Sequence, residues 1–244
     1  MGRAANTTHL MKVTAFVLVS LALFLAGCGT RSISNSGYRA NHRWGPADNP
    51  LYHGELSEWD VLGVAPKQDA TEENIAKALA ASAPPRLQRG ERVLFIQSGA
   101  LVPDGEMLDE AGKYFAVAPF SGVPPGEKQG FADSLRLRAA QGGCRFLVCY
   151  WGVLESAREE LEGKAVSWVP IVGAFLPDEK QIMRIRLKAL VVDVASGHWR
   201  MLTPPAESET GYDSRFTREA DDQKRVRVLK ERGYRALVTG LVSD

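Results

Sequence analysis

Histidine and cysteine are scarce, with four and three residues respectively among 244. Neither falls into a ligand pattern, because no second Cys/His pair follows Cys144 and Cys149 at metal-binding spacing. No metal or other cofactor is therefore expected. His-Glu-x-x-His, Gly-x-Ser-x-Gly and Walker-type loops are also missing. A charge of one sign is lacking too: the formal net charge is +1. Residues 1–27 carry Arg3 and Lys12 and no acid, so the remainder has 28 basic against 29 acidic side chains, a net −1. Such a surface has no general pull on phosphates, which argues against nucleic acid as a partner. Finally, there is no long apolar run. The charge-free stretch Val13–Ala26 has 14 residues and as a helix would rise about 21 Å, short of a hydrocarbon core of about 30 Å. That length argues against a permanent transmembrane helix. What remains, 45% hydrophobic and 24% charged residues, is a globular composition.

The apolar run has the length of a signal-peptide core, with Lys12 as its positive flank. Met11-Lys12 would itself begin a conventional leader, so the first ten residues read as an upstream start or a dispensable extension. The run ends in Leu25-Ala26-Gly27-Cys28, which resembles the bacterial lipobox. That resemblance implies a diacylglycerol on the Cys28 thiol, cleavage before it and acylation of the new amino terminus. Several acyl chains, each methylene contributing about 0.8 kcal/mol, hold such a chain on a bilayer nearly permanently. The following residue is Gly29 rather than aspartate. By resemblance to enterobacterial sorting, this implies the periplasmic face of the outer membrane.

Three spans follow: a lipoprotein signal peptide over 1–27, a tether over 28–50 and one α/β domain over 51–244. Gly, Ser, Asn and Pro crowd the tether, and Tyr38 and Trp44 suggest that its far end packs on the domain. Residues 54–64 (GELSEWDVLGV) read as a turn-rich docking segment. Residues 69–82 read as a helix with Ile75, Ala78 and Leu79 on its apolar face. A β-rich run at 92–99 precedes a short helix that Asp104 could cap, and 113–122 is a second strand. Residues 130–143 read as a helix facing inward through Phe131, Leu135 and Ala139, stopped by two glycines. The third strand, 144–154, is apolar on both faces, as central strands tend to be. Cys144 and Cys149 lie five apart in it and so point to opposite faces, which makes a disulfide awkward and buried free thiols the expectation. In 182–194, Met183, Ile185, Leu187, Ala189 and Val191 share one face, opposite Arg184, Arg186 and Lys188. Ala195–His198 turns the chain, with Gly197 free to adopt positive φ, and WRMLTP returns as a hairpin. A long helix over 217–243 carries the stripe Val226, Leu229, Gly233, Leu237 and Gly240. The fold expected is therefore α/β: a small mixed sheet with flanking helices, a long antiparallel hairpin and a C-terminal helix.

This order, with Gly143–Val148 and Asp193–Gly197 as its motifs, resembles the small α/β domain of a group of envelope lipoproteins and periplasmic proteins. That group comprises the curli-secretion lipoprotein, the penicillin-binding-protein activator lipoprotein and the amino-terminal domain of TolB. The resemblance spans about residues 92–243 and implies fold and compartment rather than activity. The stretch Glu155–Lys180 departs from it by its length.

Residues suited to chemistry are few. His42, His53 and His198 are the histidines beyond the leader, and Ser98 and Ser121 sit at strand ends, where Ser-Gly most simply closes a strand. Adjacent acids such as Glu72-Glu73 diverge by about 100° on a helix and make no shared proton site. More distinctive is AVSWVPIVGAFLP, residues 165–177, in which 13 positions pass without a charge. Pro170 and Gly173 break any helix there. The stretch is either core or an exposed patch meeting a partner or the membrane. Trp168, Val169, Ile171 and Phe175 are the candidate partner surface. The reading is a non-enzymatic, outer-membrane-anchored lipoprotein whose partners are the membrane, through its lipid, and an unidentified envelope protein. Two alternatives stand: a periplasmic hydrolase of peptidoglycan or peptides, and an oligomeric export channel built from copies of this chain.

Overall fold

The computed structural model describes residues 31–35, 51–63, 70–81, 83–127, 129–159, 166–170, 181–211 and 218–243. Side chains are described within these except at 156–159, 166–170, 181, 211 and 218–222. Eight strands form one sheet: β1 Arg31–Ser32, β2 Arg92–Gln97, β3 Ala116–Phe120, β4 Phe146–Glu159, β5 Val166–Pro170, β6 Gln181–Asp193, β7 Trp199–Leu202 and β8 Glu207–Gly211. The helices among the described residues are α1 Glu58–Leu62, α2 Glu72–Ala81, α3 Gly105–Gly112, α4 Phe131–Gln141 and α5 Arg218–Ser243, with one 3-10 turn over Ile33–Asn35.

The sheet is mixed, as its sequence implies. β2 pairs in parallel with both β3 and β4, whereas β6 is antiparallel to β4 and β7 to β6. From β2 the chain reaches β3 through α3 and then crosses back through α4 to β4 on the other side. Right-handed crossovers running in opposite directions place these two helices on opposite faces. On one face α3 and α5 cover Val93, Phe95, Phe146, Val148, Tyr150 and the alternating set Met183, Ile185, Leu187, Ala189 and Val191 of β6. On the other, α1 and α4 cover Leu94, Ile96, Leu147, Cys149, Trp151, Leu190 and Val192. β2, β4 and the inner half of β6 are thus buried on both sides, the condition that their near-continuous apolar sequence satisfies.

Three local expectations need correction. The third strand starts at Phe146, not at residue 144, so Cys144 precedes it and joins the same apolar cluster as Cys149. Both thiols are nonetheless free and buried. Asp104 occupies the N-cap position of α3, but its carboxylate makes no capping bond. The helix expected at 69–82 is present over Glu72–Ala81, and none of its residues is buried: Ile75 is 48% and Leu79 72% exposed. And Arg31–Asn35, inside the expected tether, is part of the fold. Elsewhere the turn behaves as expected, Gly197 having φ +75°.

β4 and β6 are long enough to run past two sets of neighbours. In the body their lanes are flanked by β2 and β7; beyond Leu154 they are flanked by β5 and β8. Glu155–Glu159, β5, Gln181–Ile185 and β8 therefore form a four-stranded arm that continues the body's sheet. Glu155 accepts from Arg184 Nε at 2.5 Å and Arg186 Nη2 at 2.5 Å at the base of this arm. Burial acts to raise its pKa, but those two guanidiniums prevail and hold Glu155 below the usual carboxylate value.

Candidate functional site

In α/β sheets the crevice beyond the carboxyl ends of the strands, where the connections reverse direction, is the usual ligand position. Here the reversal lies between β2 and β4, and the crevice is filled by the chain itself. β1 takes over the lane of β2, pairing Arg31 with Leu154 and Ser32 with Val153. The following Ile33 is only 1% exposed and joins the core under α5. Gly152 makes room for it: a Cβ there would lie 2.9 Å from Ile33 Cγ2 and 2.5 Å from Leu187 Cδ2. Only a residue without a side chain allows so close an approach.

Polar groups at the strand ends, which elsewhere would address a ligand, address this segment. Ser34 Oγ donates to the Ser98 carbonyl at 2.5 Å and accepts from Gln97 Nε2 at 3.1 Å. Ser32 Oγ donates to Glu55 Oε1 at 2.5 Å. Burial raises the pKa of Glu55, an effect that this hydrogen bond partly offsets. Lys230, from α5, donates to the Ile33 carbonyl at 3.1 Å and to Asp104 Oδ2 at 2.7 Å. Tyr234 donates to the same carboxylate oxygen at 2.5 Å. Gln97 completes the network, its Oε1 accepting from Asp104 N and Tyr150 Oη, each at 2.7 Å. Tyr150 and Tyr234 meet edge to face at 5.8 Å, and burial pushes both phenols well above their ordinary pKa. Buried polar groups must find partners, and Gln97, Asp104, Tyr150, Lys230 and Tyr234 find them in one another and in residues 33–34.

On the opposite face Ser98 is a latch rather than an exposed nucleophile. It is fully buried, and its Oγ accepts from Leu56 N at 2.8 Å. Trp151 Nε1 donates to the Leu56 carbonyl at 2.6 Å. Below it the capping box of Ser57 and Asp60 starts α1, and Lys188, stacked 5.0 Å from the Trp151 ring, pairs with Glu58. Ser121 Oγ accepts from Val123 N at 3.3 Å within its own loop. His198 lies in the β6–β7 turn, where Asp193 Oδ1 accepts from both Ser196 N and Ser196 Oγ.

Among the residues singled out in the sequence, Leu25, Ala26, Gly27, Cys28, Tyr38, His42, Trp44, Ile171 and Phe175 lie outside the described residues. Trp168 and Val169 lie in β5, paired with Ala157 and Ser156 of the arm. Sequence reasoning misses the docked segment and the polar network. The one signal for them is the lone Ile33 between two serines in an otherwise polar stretch. No described helix is long and apolar enough to cross a membrane, and the described residues contain no cluster of His, Cys, Asp and Glu suited to a metal.

The family model of the YafT bacterial lipoproteins matches residues 57–244, and the chain belongs to that family. Among solved structures it is similar to the PelC dodecamer from Paraburkholderia phytofirmans, at 13% identity and a TM-score of 0.27, over 62% of this chain and 92% of that one. It is also similar to the hypothetical protein CT253 from Chlamydia trachomatis, at 11% identity and a TM-score of 0.32, over 63% of this chain and 96% of that one. No curated protein matches.

Proposed function

We propose that this YafT-family lipoprotein is anchored through acylated Cys28 in the periplasmic leaflet of the outer membrane and acts there as a non-enzymatic module presenting its α/β domain to an envelope protein. The observation that carries the non-enzymatic part is the occupied crevice: Ile33 and Ser34 fill the place where an α/β sheet would bind a substrate, and the polar side chains around it are consumed in holding them. The lipobox-like Leu25-Ala26-Gly27-Cys28 supports the anchor, and Gly29 supports the outer membrane. A hydrolase built on His198 gains no support from a turn whose Asp193 and Ser196 are engaged with each other.

Metabolic labelling with a palmitate analogue tests the anchor. Label is expected on the wild-type chain in outer-membrane fractions and absent from Cys28→Ala, which should be released or retained as an unprocessed precursor. Equal labelling of the two, or recovery of wild type from the soluble periplasm, would refute it.

A further inference from the structure

We infer that the arm formed by Glu155–Glu159, β5, Gln181–Ile185 and β8 lies against the lipid bilayer, held there by a leash only three residues long. The inference rests on acylation of Cys28. From Cys28 to Arg31 there are three Cα steps, which span no more than about 11 Å even fully extended. Had the whole stretch to residue 51 been free, its reach would be about 80 Å by the same measure. Residues 31–34 remove that freedom, because they are fastened by strand pairing, by burial of Ile33 and by the bonds of Ser32, Ser34 and Lys230.

Direction follows from register. β1 is antiparallel to β4, with Arg31 opposite Leu154 and Ser32 opposite Val153, so β1 points toward the arm as it is followed back from Ser32 to Arg31. The next position on that side of β4 is already taken, because Pro170 of β5 pairs with Glu155. Beyond Leu154 the arm extends five more residues to Glu159, about 17 Å at 3.3 Å per residue. The leash is shorter than the arm. With the strands upright on the membrane and the arm downward, the arm reaches the lipid before the leash is taut; a flat pose would bring both ends of β6 equally close, and the test below separates the two. The inverted pose fails, because the body extends from Val153 back to Phe146 on the other side of β1, about 23 Å by the same rise. It would have to bury the end that carries Glu91, Arg145 and Asp193.

Two independent features suit a lipid surface. β5 belongs to the 13-residue charge-free stretch 165–177. The exposed large apolar residues Leu101, Val102 and Phe120 follow or end β2 and β3, at the carboxyl end of the sheet from which the leash departs.

The test uses the acylated full-length chain in vesicles of phosphatidylethanolamine and phosphatidylglycerol containing a nickel-chelating headgroup lipid as a short-range quencher. One fluorophore is placed through Thr210→Cys or Ser208→Cys, exposed positions of β8 in the arm; the other through Ala195→Cys in the β6–β7 turn. Thr210 and Ser208 lie opposite Ile182 and Arg184 of β6, about 36 and about 30 Å from Asp193 at strand rise, so the arm labels should be quenched at least about fivefold more strongly. Unlabelled-site background from the buried Cys144 and Cys149 is read from wild type. Equal quenching, or stronger quenching at residue 195, overturns the inference and leaves the arm free for a protein partner. Mass spectrometry of the same sample separates this from failure of the anchor: a Cys28 without acyl chains overturns both, whereas an acylated Cys28 with equal quenching overturns the orientation alone.

Discussion

Residues 31–35 and residues 72–81 exchange the roles that their compositions suggest. The first stretch, RSISN, is polar and sits in a span rich in Gly, Ser, Asn and Pro, yet it enters the core. The second, EENIAKALAA, has a proper apolar stripe, yet it stands on the surface with no buried residue. An amphipathic pattern is a statement about one element alone. It tells which face of a helix could be buried, not that a partner exists for it. RSISN is held instead by things that composition does not report: two backbone pairings with β4, one isoleucine in a gap left by Gly152, and hydrogen bonds to groups contributed by distant parts of the chain.

The docking of residues 31–35 is most vulnerable at Ile33. Ile33→Asp would place a charge without a partner in the core and should lower unfolding stability by about 3 kcal/mol or more, read by urea denaturation. If stability is unchanged, the segment is not docked. Next in size is Asp104→Ala, which leaves Lys230 and Tyr234 facing each other without their shared acceptor. A loss of about 2–3 kcal/mol is expected for a part-buried charge network of this kind, and a Lys230→Met, Asp104→Ala double variant should lose less than the sum.

A smaller effect comes from pH and sharpens the contrast between the arm and the docked segment. The pKa of Glu155 is depressed in the fold, so its stabilising contribution is complete above the unfolded-state value and fades as pH falls through the folded one. The pKa of Glu55 is raised, so its contribution is complete below the unfolded-state value and fades as pH rises through the folded one. Acidification below the ordinary glutamate value of 4.5 should therefore loosen the arm around Glu155 while sparing the contact between Ser32 and Glu55. Hydrogen exchange followed against pH in peptides from the two regions would show it; parallel changes in both would contradict it. The smallest effect is expected on the other side of the comparison. Ile75→Asp with Leu79→Asp should move stability by no more than about 0.5 kcal/mol, as surface changes do; a large loss by thermal melting would mean that α2 is packed.

What is legible in the sequence follows the range of the interactions involved. The β2, β3 and β4 runs, the β6–β7 hairpin with Gly197 in its turn, α4 and the stripe of α5 are all set by local periodicity and turn chemistry, and all can be read. The extension of β4 from residue 154 to Glu159 cannot, because Glu155-Ser156-Ala157-Arg158-Glu159 is polar and becomes strand by pairing with β5 and β6. Asp104 shows the same limit at one residue: its place at the start of α3 is evident, but its carboxylate turns to Lys230 and Tyr234, more than a hundred positions away. The docked segment lies furthest from reach, since Ser32, Ser34 and Ile33 acquire meaning only when β2, β4, α3 and α5 have come together around them.

The most direct measurement is hydrogen exchange, in the membrane-bound full-length protein, of the peptide that carries residues 31–35. Docked as described, the amides of that peptide should exchange orders of magnitude more slowly than an unstructured chain, and Ile33→Asp should abolish the protection. Exchange at the rate of a free polar tether in the wild-type protein would contradict both the filled crevice and the short leash.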